Sequence, residues 1–267
     1  MTKIIKIPFS KGGLGKTEGC ELGPDKIVSV LKGLGLNEKG YKAQFSFDLV
    51  DVDQNDIELT NSNIFSKVLD VVVSGGKNIL LGGDHSITYS AFKAVAAKNP
   101  GCGLVIFDAH PDCENDFNPP THEDFLKVLV NEGIVDPSRV ILVGVRSWDG
   151  KEKEFLDSMK IRYFSMKQIK LTGVSEVCDT VTETIRGWNS VYVSIDIDCV
   201  DPAHAPGTGY CEPGGLSSRD LIYFLQRLRL LRNIKMIDLV EINPEKDVNG
   251  MTVVLGAKIV NEMGWYF

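Results

Sequence analysis

Three short stretches place aspartate and histidine at spacings that suit metal-assisted chemistry: Gly82-Gly83-Asp84-His85-Ser86, Asp108-Ala109-His110-Pro111-Asp112 and Ser194-Ile195-Asp196-Ile197-Asp198. Asp108, His110 and Asp112 alternate along the chain, as do Asp196 and Asp198. On an extended backbone a period of two sends alternate side chains to one face, so these groups can converge. Buried carboxylates need neutralising, because removing each unpaired charge from water is costly. No arginine lies within the three stretches, which leaves protonation or metal. Oxygen donors joined by imidazole suit a pair of divalent cations, Mn²⁺ ahead of a structural zinc, which favours cysteine. Fe²⁺, Co²⁺, Ni²⁺ and Zn²⁺ are alternatives with the same ligands. Taken singly, an Asp-x-His can be a local hydrogen bond and Asp84 a helix cap. The three together, each after an apolar run, point to a metal site.

Those apolar runs define the elements that must carry the site. Strands are expected at 4–9, 43–48, 78–81, 104–108, 139–143, 162–164, 191–196 and 234–239. Helices are expected at 24–34, 62–74, 87–98, 122–132, 152–158, 175–186, 218–230 and 252–262. Leu104-Val105-Ile106-Phe107 is apolar at consecutive positions, which implies burial on both faces, as in a parallel sheet between helices. Alternating strands and helices predict an α/β fold, a three-layer αβα arrangement around a mostly parallel sheet of about eight strands. No linker or repeat divides it, so residues 1–267 read as one domain. In open parallel sheets ligands sit beyond the carboxyl ends of the strands, and all three stretches lie there.

A glycine-rich segment near the start offers a rival chemistry. Lys11-Gly12-Gly13-Leu14-Gly15-Lys16-Thr17 approaches the phosphate-binding loop of an ATPase. That motif requires glycine where Ser10 stands and a helix directly after it. Glu18 to Pro24 contains two glycines and a proline and cannot start that helix, so the phosphates would lose their cradle of N–H groups. The segment reads instead as a loop before a helix beginning near Pro24, a residue favoured in a first turn.

Bulk properties exclude other classes. The chain has 267 residues, 43% hydrophobic and 24% charged, with a net charge of −7. The acidic balance argues against nucleic acid as a partner and suits a small cationic substrate. No apolar run reaches the length of a membrane span, and the N-terminus lacks a signal-peptide core. The six cysteines form no CxxC pair. A cytoplasmic protein with reduced thiols is expected.

The three stretches resemble the signature blocks of the ureohydrolases, the arginase and agmatinase superfamily. The third continues as Cys199-Val200-Asp201-Pro202, then Ala205-Pro206-Gly207-Thr208-Gly209 and Gly214-Gly215-Leu216; Val240-Glu241-Ile242-Asn243-Pro244 resembles the late Glu-x-Asn-Pro motif. The likeness runs through nearly the whole chain. It implies an eight-stranded parallel sheet, trimers or hexamers, and two Mn²⁺ per chain. By motif position one metal would take His85, Asp108, Asp112 and Asp196, and the other His110, Asp108, Asp196 and Asp198. Asp112 would also aim a nucleophilic water, Glu241 would grip a guanidinium through paired charge-assisted bonds, and a histidine would protonate the leaving amine. Urea and an amine would be the products.

Two departures bear on the substrate. The expected proton-shuttling histidine is followed by glycine in the family; here the candidate, His122, comes early and precedes Glu123. It is expected to open a helix, where the dipole favours a neutral ring. His204 is a reserve candidate. Arginases hold an amino-acid head group with an asparagine where this chain has Glu114, and with an acid at the position of Asp149. Glu114, Asp116, Glu123 and Asp124 make the loop acidic, favouring an amine tail such as agmatine's slightly over arginine. Formiminoglutamate, other amidines and a non-catalytic metal protein are further alternatives.

Overall fold

The computed structural model describes residues 1–264. Eight strands form one sheet: β1 Thr2–Ile7, β2 Phe45–Leu49, β3 Asn78–Gly82, β4 Gly103–Phe107, β5 Val140–Val145, β6 Arg162–Ser165, β7 Val191–Asp196 and β8 Ile234–Val240. Their order is β2-β1-β3-β8-β7-β4-β5-β6, and every neighbouring pair is parallel. All eight expected strands are present, with ends shifted by a residue or two.

Alternation along each strand splits the core into two layers. Val105 and Phe107 of β4 pack with Ile27, Val181, Phe224 and Val260, whereas Leu104 and Ile106 pack with Val68, Phe92, Leu129 and Leu156. One face is therefore covered by α1 (Gly23–Gly33), α7 (Val174–Arg186), α8 (Ser218–Leu228) and α9 (Met251–Met263). The other is covered by α2 (Ile57–Ser74), α3 (Ile87–Lys98), α4 (Phe125–Asn131) and α5 (Gly150–Ser158). In α8 the buried residues Leu221, Ile222, Phe224, Leu225 and Leu228 make the apolar stripe of a helix lying on a sheet. The three-layer α/β fold is as expected. Among the described residues no helix is long and apolar enough to cross a membrane.

Several helix limits need correction. The helix α6 (Met166–Thr172) was not expected; Ser165 and Gln168 form a reciprocal capping box at its start. The Asp56 side chain caps α2 at Leu59 N and starts that helix five residues early. His122 does not open α4, which begins at Phe125. The Asp124 carboxylate instead accepts from Phe117 N and from Thr121 N and Oγ1. It folds residues 117–124 into a separate turn, so the dipole argument for a neutral His122 fails.

Candidate metal centre

Four adjacent strands at the middle of the sheet, β3, β8, β7 and β4, end on the residues in question. Asp84 and His85 follow β3, Glu241 follows β8, Asp196 closes β7 with Asp198 just beyond, and Asp108, His110 and Asp112 follow β4. Gly83 lets β3 run close beside the first loop: a Cβ there would lie 2.0 Å from the Phe9 carbonyl oxygen.

The side chains converge, but not by extended-strand alternation. Strand β4 stops at Phe107, and Ile197–Cys199 is a 3-10 turn. Asp108 Oδ1 accepts from His110 N at 2.7 Å, and Asp196 Oδ1 from Asp198 N at 2.8 Å. Short carboxylate-to-backbone turns thus replace the pleat. Asp112 and Glu241 have φ of 54° and 64°, a left-handed backbone that costs a non-glycine residue energy and persists where the surroundings demand it.

His85 Nδ1 faces three carboxylates, at 2.9 Å from Asp112 Oδ2, 3.1 Å from Asp108 Oδ2 and 3.3 Å from Asp196 Oδ2. His110 Nδ1 lies 3.1 Å from Asp198 Oδ2 and 3.5 Å from Asp108 Oδ1. Two overlapping ligand groups result, His85–Asp108–Asp196 and Asp108–His110–Asp198, sharing Asp108. His85 Nδ1 and Asp108 Oδ2 are buried without a hydrogen-bond partner. Orphaned atoms are rare in native interiors, and a cation between them would satisfy both. On the other side of the ring, His85 Nε2 lies 2.8 Å from Ser194 Oγ, which donates to Asp238 Oδ1 at 2.6 Å. Asp238 also accepts from Thr88 Oγ1 and Tyr192 OH, each at 2.7 Å. Ser194 can thereby accept a hydrogen bond from Nε2, so that loss of the Nδ1 proton leaves a lone pair directed at the aspartates, as a metal-ligating histidine requires. The donor set fits two divalent cations.

Electrostatics agree. With no cation bound, burial and then the Asp108 charge push Asp112 up to about 8, against the pull of His85 and His110. Burial, followed by Asp198 and Asp108, raises Asp196, and burial with Asp108 raises Asp198. Burial opposes charge on His85 and His110, but the facing aspartates hold both rings protonated well above the usual range. Ligands must be deprotonated to bind, so loading displaces protons and apparent affinity tightens as pH rises toward about 8. Titration calorimetry at neutral pH, in two buffers of different ionisation enthalpy, is expected to show net proton release. Equal heats in both buffers would contradict it.

A cavity of about 200 Å³ opens above this centre. His85, His110, Asp112, Asp196 and Asp198 line its floor, and Glu241, His122 and Glu114 its walls. Glu241 Oε1 accepts from His85 N at 2.9 Å and lies 3.2 Å from His122 Nδ1, while Oε2 is 3.6 Å from the Cys20 thiol. Burial works against charge on His122, but its hydrogen bond to Glu241 and the charges of Glu241, Asp84 and Asp112 push it up to about 9.

Asp149 stands apart. Its carboxylate caps α5 at Glu152 N, and Glu152 is the member of that pair that lines the cavity. Asp84 is likewise engaged locally, by Ser86 N and Oγ, rather than capping α3. His204 is exposed and lines a different surface pocket. Sequence reasoning missed Lys16, Ser147, Glu152, Tyr210 and Glu212 in the wall, and Glu123 as more than a solvated acid. Arg146, at the end of β5, donates to the carbonyls of Asp198 (2.7 Å), Glu212 (2.6 Å) and Pro213 (3.2 Å). It ties the loop bearing Glu212 to the backbone of the metal centre.

The family model for the arginase family matches residues 2–265. The chain belongs to the arginase family. Among the relatives of this arginase-family chain, a guanidinopropionase from Pseudomonas aeruginosa is 33% identical over 280 residues, spanning 97% of this chain and 84% of its own length. A proclavaminate amidinohydrolase from Streptomyces clavuligerus is 31% identical over 275 residues, spanning 97% and 86%. The structure of formimidoylglutamase from Bacillus subtilis superposes with a TM-score of 0.92 at 24% identity, covering 98% of this chain and 85% of that one; it shows the shared fold. With its binuclear site, this arginase-family chain is a metal-dependent hydrolase of the ureohydrolase type.

Proposed function

We propose that the chain hydrolyses the guanidino C–N bond of a small linear cation, with agmatine-type substrates ahead of arginine, and releases urea. The carrying observation is the charge of the cavity wall. Beyond the floor aspartates the wall holds Glu114, Glu123, Glu152, Glu212 and Glu241 against one lysine, Lys16. Lys16 already lies 3.3 Å from Glu123 Oε1. A wall of this sign attracts a cation and repels a free carboxylate.

The metals are assigned as Mn²⁺, on the oxygen-and-imidazole donor set. One would be held by His85, Asp108, Asp112 and Asp196, the other by His110, Asp108, Asp196 and Asp198. When bound, such a pair makes water a competent nucleophile near neutral pH. The protein supplies the rest. Glu241, pinned by His85 N, receives the guanidinium through charge-assisted bonds. Asp112 accepts a hydrogen bond from the attacking water and aims it at the guanidino carbon. His122 gives a proton to the departing nitrogen as the C–N bond breaks. Glu114 faces the tail ammonium; Asp149 supports Glu152 behind it. The relatives named for guanidinopropionate and amidino hydrolysis support C–N cleavage at an amidine carbon.

A second reading has one observation in its favour. Lys16 sits in the cavity wall, and a relative is named a guanidinopropionase, so a guanidino acid whose carboxylate meets Lys16 is the competitor. Urea release from agmatine, arginine and 3-guanidinopropionate, measured side by side on the Mn²⁺-loaded protein, tests the choice. Agmatine is expected to give the highest kcat/KM. Turnover confined to 3-guanidinopropionate would establish the second reading, and urea from none of the three would remove both.

A further inference from the structure

His122 is buried, 4% exposed, and its ring lies between two carboxylates. Nδ1 is 3.2 Å from Glu241 Oε1. Nε2 has no hydrogen-bond partner and faces Glu123 Oε1 at 3.7 Å. That oxygen accepts from Tyr210 OH at 2.7 Å and from Lys16 Nζ at 3.3 Å. The Tyr210 ring stacks on His122 with centroids 6.0 Å apart, and Lys16 sits over the same ring. Backbone bonds from His122 N to Gly12 O and from Glu114 N to Glu123 O fix the turn on both sides.

On the function proposed above, Glu241 has two partners. In the free protein it supports a charge on His122; during turnover it receives the guanidinium. The substrate cation then cancels much of its support for the ring. The other groups facing His122 make no direct contact that replaces it: Asp84, which gives Oδ1 to Ser86, and Asp112, in the metal centre, lie beyond ion-pair distance of the ring and act only through their charge, Tyr210 is neutral and Lys16 is a cation. Glu123 is the remaining carboxylate, on the opposite edge of the ring.

We propose that Glu123 is a positioning residue that holds the His122 imidazolium through Nε2 while Glu241 is occupied by substrate, with Tyr210 and Lys16 fixing its carboxylate. His122 loses one ring proton to the departing nitrogen and regains one from solvent water. Glu123 stays ionised throughout and transfers none. Burial would raise the Glu123 carboxyl, but Tyr210, His122 and Lys16 bring it below the usual range, which suits an anion that orients rather than a proton carrier.

The inference rests on His122 acting as the acid, so the test separates the two. Urea release is followed between about pH 6 and 10 for the native chain, Glu123→Gln, Glu123→Asp and His122→Asn, using whichever of agmatine or arginine the native chain turns over. In parallel, ¹⁵N-histidine NMR of the Mg²⁺-loaded proteins follows the His122 titration. An acid works protonated, so activity falls as pH rises through its pKa. Losing a facing carboxylate lowers that pKa by about one unit. In Glu123→Gln the alkaline limb of kcat is therefore expected to move down by about one unit. The loss grows with pH, reaching about tenfold on that limb, with KM nearly constant; Glu123→Asp restores most of it. The NMR midpoint falls by a similar amount. An unmoved limb and an unmoved midpoint, with His122→Asn inactive, overturn this inference alone. Full turnover by His122→Asn overturns the parent reading, and the NMR midpoint still decides whether Glu123 holds the ring.

Discussion

Asp108→Asn is expected to release almost no urea and to hold fewer than two divalent cations per chain. Asp108 is fully buried and belongs to both ligand groups. Its Oδ1 already accepts from His110 N, and its Oδ2 faces His85 Nδ1 with no other partner. Asparagine keeps the shape and one acceptor, so the turn after β4 survives, but the second anionic oxygen becomes an amide nitrogen with no lone pair to give. Both cations lose a ligand at once. Transition-state stabilisation worth several kcal/mol goes with them, about a thousandfold or more in turnover. Metal content by elemental analysis, urea release and a thermal melt decide the matter together. A folded variant with two cations and turnover within about tenfold of the native chain would sink the shared-ligand account.

His122→Asn separates chemistry from metal binding. The ring touches Glu241 and Tyr210, and no metal-group carboxylate lies within ion-pair distance of it. Its removal is expected to cut kcat by about 10²–10⁴, the usual contribution of a positioned acid, while two cations stay bound and KM moves little. Glu241 and its neighbours push His122 up to about 9 in the free protein. The kcat/KM of the native chain should therefore fall above that region as the ring deprotonates, and the residual activity of the variant should lack this alkaline limb. A pH profile that keeps the limb in His122→Asn would assign it to another group.

The sheet and the floor of the site were legible in the sequence for one reason. A strand buried on both faces is a run such as Leu104-Val105-Ile106-Phe107, and polar residues right after such a run have few places to go except the ligand crevice. The walls were not legible. Lys16, Tyr210 and Glu212 come from loops without periodicity, and only tertiary contacts bring them to the cavity, Lys16 and Tyr210 through Glu123 and the Glu212 loop through Arg146. Glu123 looked like one more acid in an acidic loop. His122 looked like a helix start because nothing local says that Asp124 will draw back Phe117 and Thr121. Asp238 does carry a signal in the sequence: a carboxylate inside Ile-Lys-Met-Ile-Asp-Leu-Val must find donors, and it finds three hydroxyls.

The order of strands carries a consequence for how the protein is made. The last strand among the described residues, β8, lies at the centre of the sheet, between β3 and β7. Without β8, β3 and β7 would each present an unpaired edge, and such edges invite pairing with another chain. Closing the sheet joins strands more than 150 positions apart in sequence, the kind of pairing that slows folding. Glu241 follows β8, so the cavity gains that carboxylate wall in the same event that seals the sheet, and a chain lacking the strand would keep the aspartates and histidines of the floor without it.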